Sequence, residues 1–254
     1  MRKSELDKMY QLEDTYWWFI GRRRLVKALV QRFGPPDPQI VDVGCGTGGT
    51  LDALQDTGLL TGADISTDAL QLCRQRGHQR LTQCVAEALP FHDEAFDVAI
   101  CCDVFEHLEE DSVGFAEVVR VLKPGGIAVI SVPALQWLWS EHDVALSHFR
   151  RYEKHQIRDL MKVHGLEITK LTYGVGLLFP VVVASRLMGR LVPHRPRAPH
   201  TQVSRLPCML NQPLLWIQDL ETFLLPRWGL PIGASLIAVG RKPLQAASVA
   251  QPDA

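Results

Sequence analysis

The sequence predicts an α/β protein built on a doubly wound sheet, and two observations carry this prediction. Short β-branched or apolar runs alternate along the chain with stretches of helical periodicity, a pattern typical of a parallel sheet covered on both faces. The 254 residues, 46% hydrophobic and 22% charged, are enough for one large core. This composition excludes a disordered or fibrous protein.

The first 33 residues predict a helical cap that precedes the sheet. Apolar residues recur at three- and four-residue spacings from Ser4 to Phe33, and Gly21 is expected to divide this stretch into two helices. The proline-rich cluster at 34–38 then stops any helix, so the cap is expected to end at residue 33.

The core domain is predicted at 34–173 and 232–242. Its strands are expected at Ile40–Val43, Leu59–Ala63, Leu81–Val85, Phe96–Cys101, Ile127–Val132, Leu166–Tyr173 and Ala234–Val239. Helices are expected near 48–56, 67–76, 110–122 and 154–164. Right-handed crossovers between such strands make the sheet doubly wound.

Residues 174–231 predict a helical insertion between the last two strands, because they are too many for a simple connection. Helix candidates at 177–191 and Leu214–Leu225 flank a link rich in proline and arginine. Residues 243–254 are expected to form a flexible tail. The insertion is a candidate substrate-binding or membrane-facing cap.

The stretch that carries the chemistry is Val-Asp-Val-Gly-Cys-Gly-Thr-Gly-Gly at 41–49, where the first strand meets the first helix of the core domain. Glycines there permit a tight turn and let the backbone approach a ligand at the helix N-terminus, which predicts a nucleotide-type cofactor. Asp42 suits a cationic amino group and would repel a diphosphate. Asp64 ends the second strand, where its carboxylate can accept both ribose hydroxyls.

These residues resemble the class I S-adenosylmethionine-dependent methyltransferases, in particular the type 11-like subgroup often encoded beside cell-surface glycan or lipid genes. Further motifs follow in order: Ala-Glu-Ala-Leu-Pro-Phe at 86–91, Phe-Asp-Val at 96–98 and Leu-Lys-Pro-Gly-Gly at 122–126. The subgroup's Tyr-Trp-Trp at 16–18 and His-Phe-Arg-Arg-Tyr at 148–152 are also present. The resemblance implies a seven-stranded Rossmann-like sheet with an antiparallel last strand, and S-adenosylmethionine as cofactor.

The resemblance also implies a set of cofactor contacts, from the methionine end to the adenine end. They are Asp42, Gly44, Cys45, Gly46, Asp64, Ile65, Ala86 and Glu87, with Cys102 and Asp103 facing the methionine end. One position departs from the family pattern, because Val85 stands where many members carry an aspartate that holds the adenine amine. The backbone at Ala86 or the side chain of Glu87 is the expected substitute.

Candidates for handling the acceptor cluster after the fifth strand. His148, His142 and His107 are candidate general bases, since histidine titrates near neutral pH; the alternative is that they cap a helix or bind backbone. Candidate substrate contacts are Tyr16, Trp17, Trp18, Trp139, Arg150, Arg151 and Tyr152. The open alternatives are a core role for the aromatic residues, and structural pairing of an arginine with Asp143 or Glu153.

Charge is unevenly distributed along the chain despite a net charge of −1. Residues 1–33 carry +4, residues 34–145 carry −13 and residues 146–254 carry +8. We therefore expect an anionic acceptor that is a small molecule or is linked to lipid or glycan. No Asn-Pro-Pro-Tyr-type motif follows the fourth strand, where Cys-Cys-Asp-Val stands at 101–104, which favours oxygen over an amide nitrogen as the methylated atom. Peripheral membrane contact is expected through 174–205, and packing of that segment on the second insertion helix or in a dimer is the alternative.

Other partners and locations follow from what the sequence lacks. It shows no recognisable nucleic-acid-binding module and no metal-ligand spacing, so neither nucleic acid nor a metal is expected. The charged first ten residues predict no secretory signal, and a cytoplasmic location follows, at most peripheral at the inner membrane surface. The rival to an enzyme is a non-catalytic S-adenosylmethionine-binding regulatory or scaffold protein.

Overall fold

The computed structural model describes residues 3–191 and 206–244 of the chain. The strands are β1 (Gln39–Val43), β2 (Leu59–Asp64), β3 (Leu81–Gln83), β4 (Phe96–Cys102), β5 (Leu122–Pro133), β6 (Glu167–Gly174) and β7 (Ser235–Arg241). The helices are α1 (Lys3–Leu12), α2 (Trp17–Phe33), α3 (Gly49–Ala53), α4 (Thr67–Gln75), α5 (Asp111–Val121), α6 (Glu141–Ala145), α7 (Lys154–Val163), α8 (Phe179–Leu191) and α9 (Cys208–Leu224). Most of the predicted link and tail lies outside the described residues.

The strands form one sheet in the order β3-β2-β1-β4-β5-β7-β6. β7 runs antiparallel to both of its neighbours, and the other adjacent pairs are parallel. The doubly wound fold and its antiparallel last strand are therefore confirmed. The strand order reverses at β1 and β4, and ligands of such sheets bind in the crevice beyond the carboxyl ends of the strands at that switch point.

Alternation along the strands decides which side chains face which helix layer, because successive residues point to opposite faces. Val41 of β1 belongs to the hydrophobic cluster that includes residues of α5 and α7. Its neighbour Ile40 belongs to the cluster that includes Leu25 and Leu29 of α2. By the same alternation Asp42 faces α2, as does Cys102 at the end of β4.

The break in the N-terminal helices is not at Gly21, and that expectation was wrong. Helix α1 ends at Leu12 and α2 runs without interruption from Trp17 to Phe33. Gly21 lies inside α2, where an added Cβ would be 2.9 Å from Cβ of Gln218. The glycine therefore permits close packing of α2 on α9.

The insertion is helical as predicted, but α9 begins at Cys208, six residues before the expected start at Leu214. Pro213 lies inside this helix, where it cannot donate the usual backbone hydrogen bond to the carbonyl of residue 209. Asn211 connects α9 to the cap: its side chain accepts from Trp17 N at 2.9 Å and donates to the Thr15 carbonyl at 2.8 Å. No helix among the described residues is long and apolar enough to cross a membrane.

Candidate functional site

The glycine loop after β1 is held to the end of β2 by Asp64. Gly46 N donates to Oδ2 of Asp64 at 2.9 Å, and Ser66 N donates to Oδ1 at 2.8 Å. Gly44 and Gly46 adopt φ values of 72° and 54°, in the left-handed region that favours glycine. A carboxylate has about four acceptor sites, so Asp64 can still accept bonds from two ligand hydroxyls.

Asp42 is a buried carboxyl group that lacks a partner on one side. Its side chain is 2% exposed, and Oδ2 has no hydrogen-bond partner among the described residues. Burial raises the pKa of Asp42 to about 7, although the Arg22 guanidinium lowers it. An uncompensated buried carboxyl favours a cationic ligand group beside it, which is what the expected cofactor presents.

Arg22 of α2 forms the opposite wall of this crevice. It donates to the carboxylate of Asp103, which follows β4, and its guanidinium lies 4.6 Å from the ring centroid of Trp18. Its Nε is buried and has no partner within the described part of the chain. Sequence reasoning did not single out Arg22, although three consecutive arginines four residues after the paired tryptophans were a visible signal.

The N-terminal cap packs against the glycine loop through Glu13, which directly follows α1. This carboxyl is 5% exposed, accepts a hydrogen bond from the Thr47 hydroxyl and lies 2.6 Å from Nη2 of Arg76. Cε of Met9 lies 3.2 Å from the position that a Cβ on Gly46 would occupy. The N-terminal cap therefore covers one side of the predicted cofactor loop, a contact that sequence periodicity could not locate.

A cavity lies between α2, α9 and the sheet, directly beside the Arg22–Asp103 pair. Its polar lining includes Arg22, Ser131 of β5 and Gln218 of α9. Gln218 is 5% exposed, and its Nε2 is a second buried donor without a partner among residues 3–191 and 206–244. The cavity has a volume of about 20 Å³, room for about one water-sized group, so the two unpaired donors suit a single oxygen acceptor of a ligand that enters from the crevice.

The far end of the cavity is held in a strained conformation. Val175, after β6, adopts a φ of 55°, which is unfavourable for a β-branched residue. Its N–H donates to the buried carboxylate of Glu221, which also accepts from Leu177 N at 3.0 Å. Glu221 of α9 thus fixes the start of the insertion against the cavity.

Two of the three candidate histidines come together at the other side of Asp103. Ligand atoms of Glu106, His107 and His148, which we call the Glu-His-His cluster, all lie within 4.8 Å of one another. Burial, and then the charge of Asp103, raise the pKa of Glu106 well above its usual value. His142 lies outside this cluster on α6, where burial and then Arg186 lower its pKa to about 4.

The run at 150–152 is used mainly for structure. Arg151 is 7% exposed and its Nε donates to Oδ1 of Asp143 at 2.8 Å, which is the structural alternative that the sequence left open. Tyr152 is 1% exposed and its hydroxyl donates to Asp111 at 2.7 Å, so a substrate contact was the wrong expectation for this core residue. Arg150 donates to the Glu109 carbonyl at 2.6 Å.

The remaining predicted contacts lie around the crevice. Trp18 lines the cavity, whereas Tyr16, Trp17 and Trp139 are half-buried and do not line it. Cys45 is buried in the glycine loop, with its sulfur 3.9 Å from that of Cys73. At the adenine end Ala86 and Glu87 are half-buried, while Ile65 and Val85 are 65% and 40% exposed. This exposed apolar surface suits a flat ring.

Comparison with known proteins agrees with this geometry. A family model described as a methyltransferase domain matches residues 41–130. The chain is 32% identical over 125 residues to a demethylmenaquinone methyltransferase of Chlorobaculum tepidum, a match that covers 48% of this chain and 50% of that protein. The chain therefore spans about half the length of this curated relative.

Solved structures show the same fold. A putative methyltransferase in complex with the Trm112 methyltransferase activator of Haloferax volcanii matches with a TM-score of 0.61 at 19% identity, over 96% of this chain and 95% of that one. A phosphoethanolamine N-methyltransferase of Haemonchus contortus, solved with S-adenosylhomocysteine, matches with a TM-score of 0.54 at 21% identity, over 85% of this chain and 52% of that one.

Proposed function

Because this chain belongs to the class I S-adenosylmethionine-dependent methyltransferases, we propose that it transfers the methyl group of that cofactor to an oxygen atom of an anionic acceptor. The observation that carries the proposal is the position of the cavity between α2 and α9. The cavity adjoins the Arg22–Asp103 pair, and Arg22 belongs to both the cofactor crevice and the cavity wall.

The residues of the crevice fit the cofactor. The unpartnered oxygen of Asp42 would accept from the cationic amino group, Asp64 would accept from the ribose hydroxyls, and Arg22 would pair with the carboxylate. When bound, the cofactor supplies an electrophilic methyl carbon, whose bond to sulfur breaks as the acceptor oxygen bonds to it and the electron pair stays on sulfur.

The chain's own contribution is to orient the acceptor and to receive its proton. The free donors Arg22 Nε and Gln218 Nε2 would hold an acceptor oxygen, and orientation of this kind supplies effective molarities of about 10⁵–10⁸ M. The hydroxyl proton would leave toward the Glu-His-His cluster, on the other side of Asp103.

Incubation with methyl-labelled cofactor and separated soluble and lipid extracts tests the proposal. We expect label in an oxygen-linked methyl group of one fraction, identified by mass spectrometry, and a lower kcat/KM for Gln218→Leu than for the control Gln31→Leu on the exposed face of α2. Label in neither fraction would favour the non-catalytic scaffold or regulatory protein. Label on carbon or nitrogen would overturn the oxygen assignment.

An amphiphilic acceptor at a membrane surface is favoured by the exposed side of the insertion. Large apolar side chains are more than half exposed on α8 and α9, among them Val181 (57%), Met188 (62%), Trp216 (63%) and Phe223 (59%). Exposed apolar patches mark interaction sites in soluble proteins. These exposed side chains support a peripheral position in which this face lies against the inner membrane surface.

Flotation with anionic liposomes tests the membrane contact separately. The wild-type chain should float at low salt, and the double variant Trp216→Ser, Phe223→Ser should float much less. The control Val163→Ser removes an apolar side chain that is 77% exposed on α7, outside the insertion. Absence of wild-type binding at low salt would contradict the membrane contact and leave methyl transfer to a soluble acceptor.

A further inference from the structure

We propose that Glu106, His107 and His148 bind a divalent cation of the Zn²⁺ or Mn²⁺ class beside the cofactor crevice. Glu106 and His107 lie on the 3-10 turn after β4, and His148 lies on the segment after α6. The three ligand atoms lie within 4.8 Å of one another, so shifts of less than about 1 Å would bring them to the spacing of a shared cation.

Glu106 points to a ligand independently of the clustering. Its side chain is fully buried, and neither carboxylate oxygen has a hydrogen-bond partner in the described part of the chain. Buried carboxylates in proteins are paired, hydrogen-bonded or bound to metal. An unpartnered carboxylate that faces two imidazoles therefore indicates a missing positive ligand between them.

His148 is oriented as metal-binding histidines are. Its Nδ1 lies 3.2 Å from Oδ1 of Asp143, which leaves Nε2 as the nitrogen available to a cation. Asp143 is itself fixed by Arg151 and by the N–H of Ser140 at 2.8 Å. A carboxylate–histidine–metal arrangement of this kind sets the tautomer and the ring orientation.

Hydrogen bonds connect the two segments that supply the ligands. Phe149 N donates to the Glu106 carbonyl at 2.7 Å, and Arg150 donates to the Glu109 carbonyl. The rings of His107 and His148 meet edge to face with centroids 4.7 Å apart. The cluster is thus held by backbone contacts that do not require the cation.

The donor set identifies the class of cation. Two imidazoles and one carboxylate suit Zn²⁺, Mn²⁺ or Fe²⁺, whereas Mg²⁺ and Ca²⁺ prefer oxygen ligands. Three protein ligands leave coordination positions open, and His107 is an exposed residue, so the open side can be reached. With a cation bound, these side chains would act as its ligands and no longer receive the acceptor's proton; the cation would lower the pKa of an acceptor hydroxyl, and that proton would leave to water. This role rests on the proposed function, but cation binding does not.

The direct test is a titration of the metal-stripped full chain with Co²⁺, followed by visible absorption, with Mn²⁺ titrated in parallel by electron paramagnetic resonance. We expect one Co²⁺ per chain. Affinity should fall at least about tenfold in His107→Ala and Glu106→Gln, and by about 10–100-fold in Asp143→Asn, whose side chain acts through His148. The control is His155→Ala, an exposed histidine on α7.

His107→Ala is the decisive variant, because His107 is exposed and its loss should leave the thermal midpoint unchanged. Absence of Co²⁺ and Mn²⁺ binding in the wild type, or equal binding by His107→Ala and His155→Ala, would overturn the site. S-adenosylmethionine affinity is measured on the same stripped samples. Cation binding without methyl transfer would leave the site standing and contradict only its catalytic role.

Discussion

The carboxyl group of Asp42 has a pKa of about 7, which is close to neutral pH. A cationic ligand group beside it stabilises the ionised form, so its pKa is lower with the cofactor bound than without. Affinity for S-adenosylmethionine should therefore fall as pH drops below about 7, by up to about tenfold per pH unit.

Titration calorimetry at pH 5.5, 6.5 and 7.5, in two buffers of different ionisation enthalpy, measures both this affinity and the protons released on binding. Asp42→Asn should bind weakly at every pH and release no proton. A wild-type affinity that stays constant over this range would contradict the placement of Asp42 against the cationic group.

Arg22 should contribute more to cofactor binding than its neighbour Arg24 on the same helix. Arg22 pairs with Asp103 in the crevice, whereas Arg24 pairs with Asp219 at the surface, where both side chains are over 40% exposed. Hydrogen bonds to charged groups are worth about 1.5–3 kcal/mol and surface pairs about 0–1 kcal/mol.

Arg22→Gln should therefore raise the dissociation constant for S-adenosylmethionine roughly 10–100-fold, measured by calorimetry at one pH. Arg24→Gln, a matched change two residues away on α2, should leave it almost unchanged. Equal effects of the two substitutions would argue against an Arg22 contact with the cofactor.

Residue roles followed from the sequence where one short segment holds all the partners. The glycines of the loop, Asp42 and Asp64 were predicted from the motif, and the structure brings Gly46 and Asp64 into hydrogen-bond contact, while their cofactor roles stay predictions. Arg22, Glu106 and Gln218 could not be assigned, because their partners or neighbours come from distant segments. The prediction that Tyr152 contacts the substrate was wrong because nothing in the neighbouring sequence indicates that this polar side chain is buried in the core.

The close packing of α2 on α9 depends on the absence of a side chain at Gly21. A Cβ at Gly21 would lie 2.9 Å from both Cβ and Oε1 of Gln218. Gly21→Val should therefore destabilise the chain by about 1–3 kcal/mol through overpacking. Urea unfolding followed by circular dichroism gives this free energy.

The control Gln31→Val places the same β-branched residue in the same helix at an exposed position. Helix propensity alone would favour Gly21→Val over this control, because glycine has a lower helix propensity than glutamine, so a larger loss of stability in Gly21→Val reports on packing. If the two variants unfold at the same urea concentration, the close packing of α2 on α9 is not a significant source of stability.

Elements with strong periodicity were predictable, and those whose limits depend on tertiary contacts were not. The alternation of strands and helices gave the seven strands, but β5 begins at Leu122, before the predicted Ile127, because its first residues pair with neighbouring strands. The predicted helix break at Gly21 was wrong because the role of this glycine also depends on a tertiary contact. The contacting residue, Gln218, lies in the insertion.

The acidic and basic segments of the chain contact each other in the folded molecule. The acidic segment 34–145 forms most of the sheet and its cofactor crevice, and arginines of the basic flanks pair with it, as Arg22 does with Asp103 and Arg151 with Asp143. Part of the positive charge is thus used within the protein. Arg22 also borders the cavity, where its Nε is a donor that the pair with Asp103 leaves without a partner among the described residues.

A single cofactor site at the carboxyl ends of β1 and β2 is tested most directly by a titration of S-adenosylmethionine into the full chain. We predict one site per chain and an affinity roughly 100-fold weaker in Asp64→Ala, which loses two hydroxyl contacts. Asp159→Ala, at an exposed position on α7, should bind as the wild type does. Absence of wild-type binding, or equal affinity of Asp64→Ala and wild type, would contradict this site.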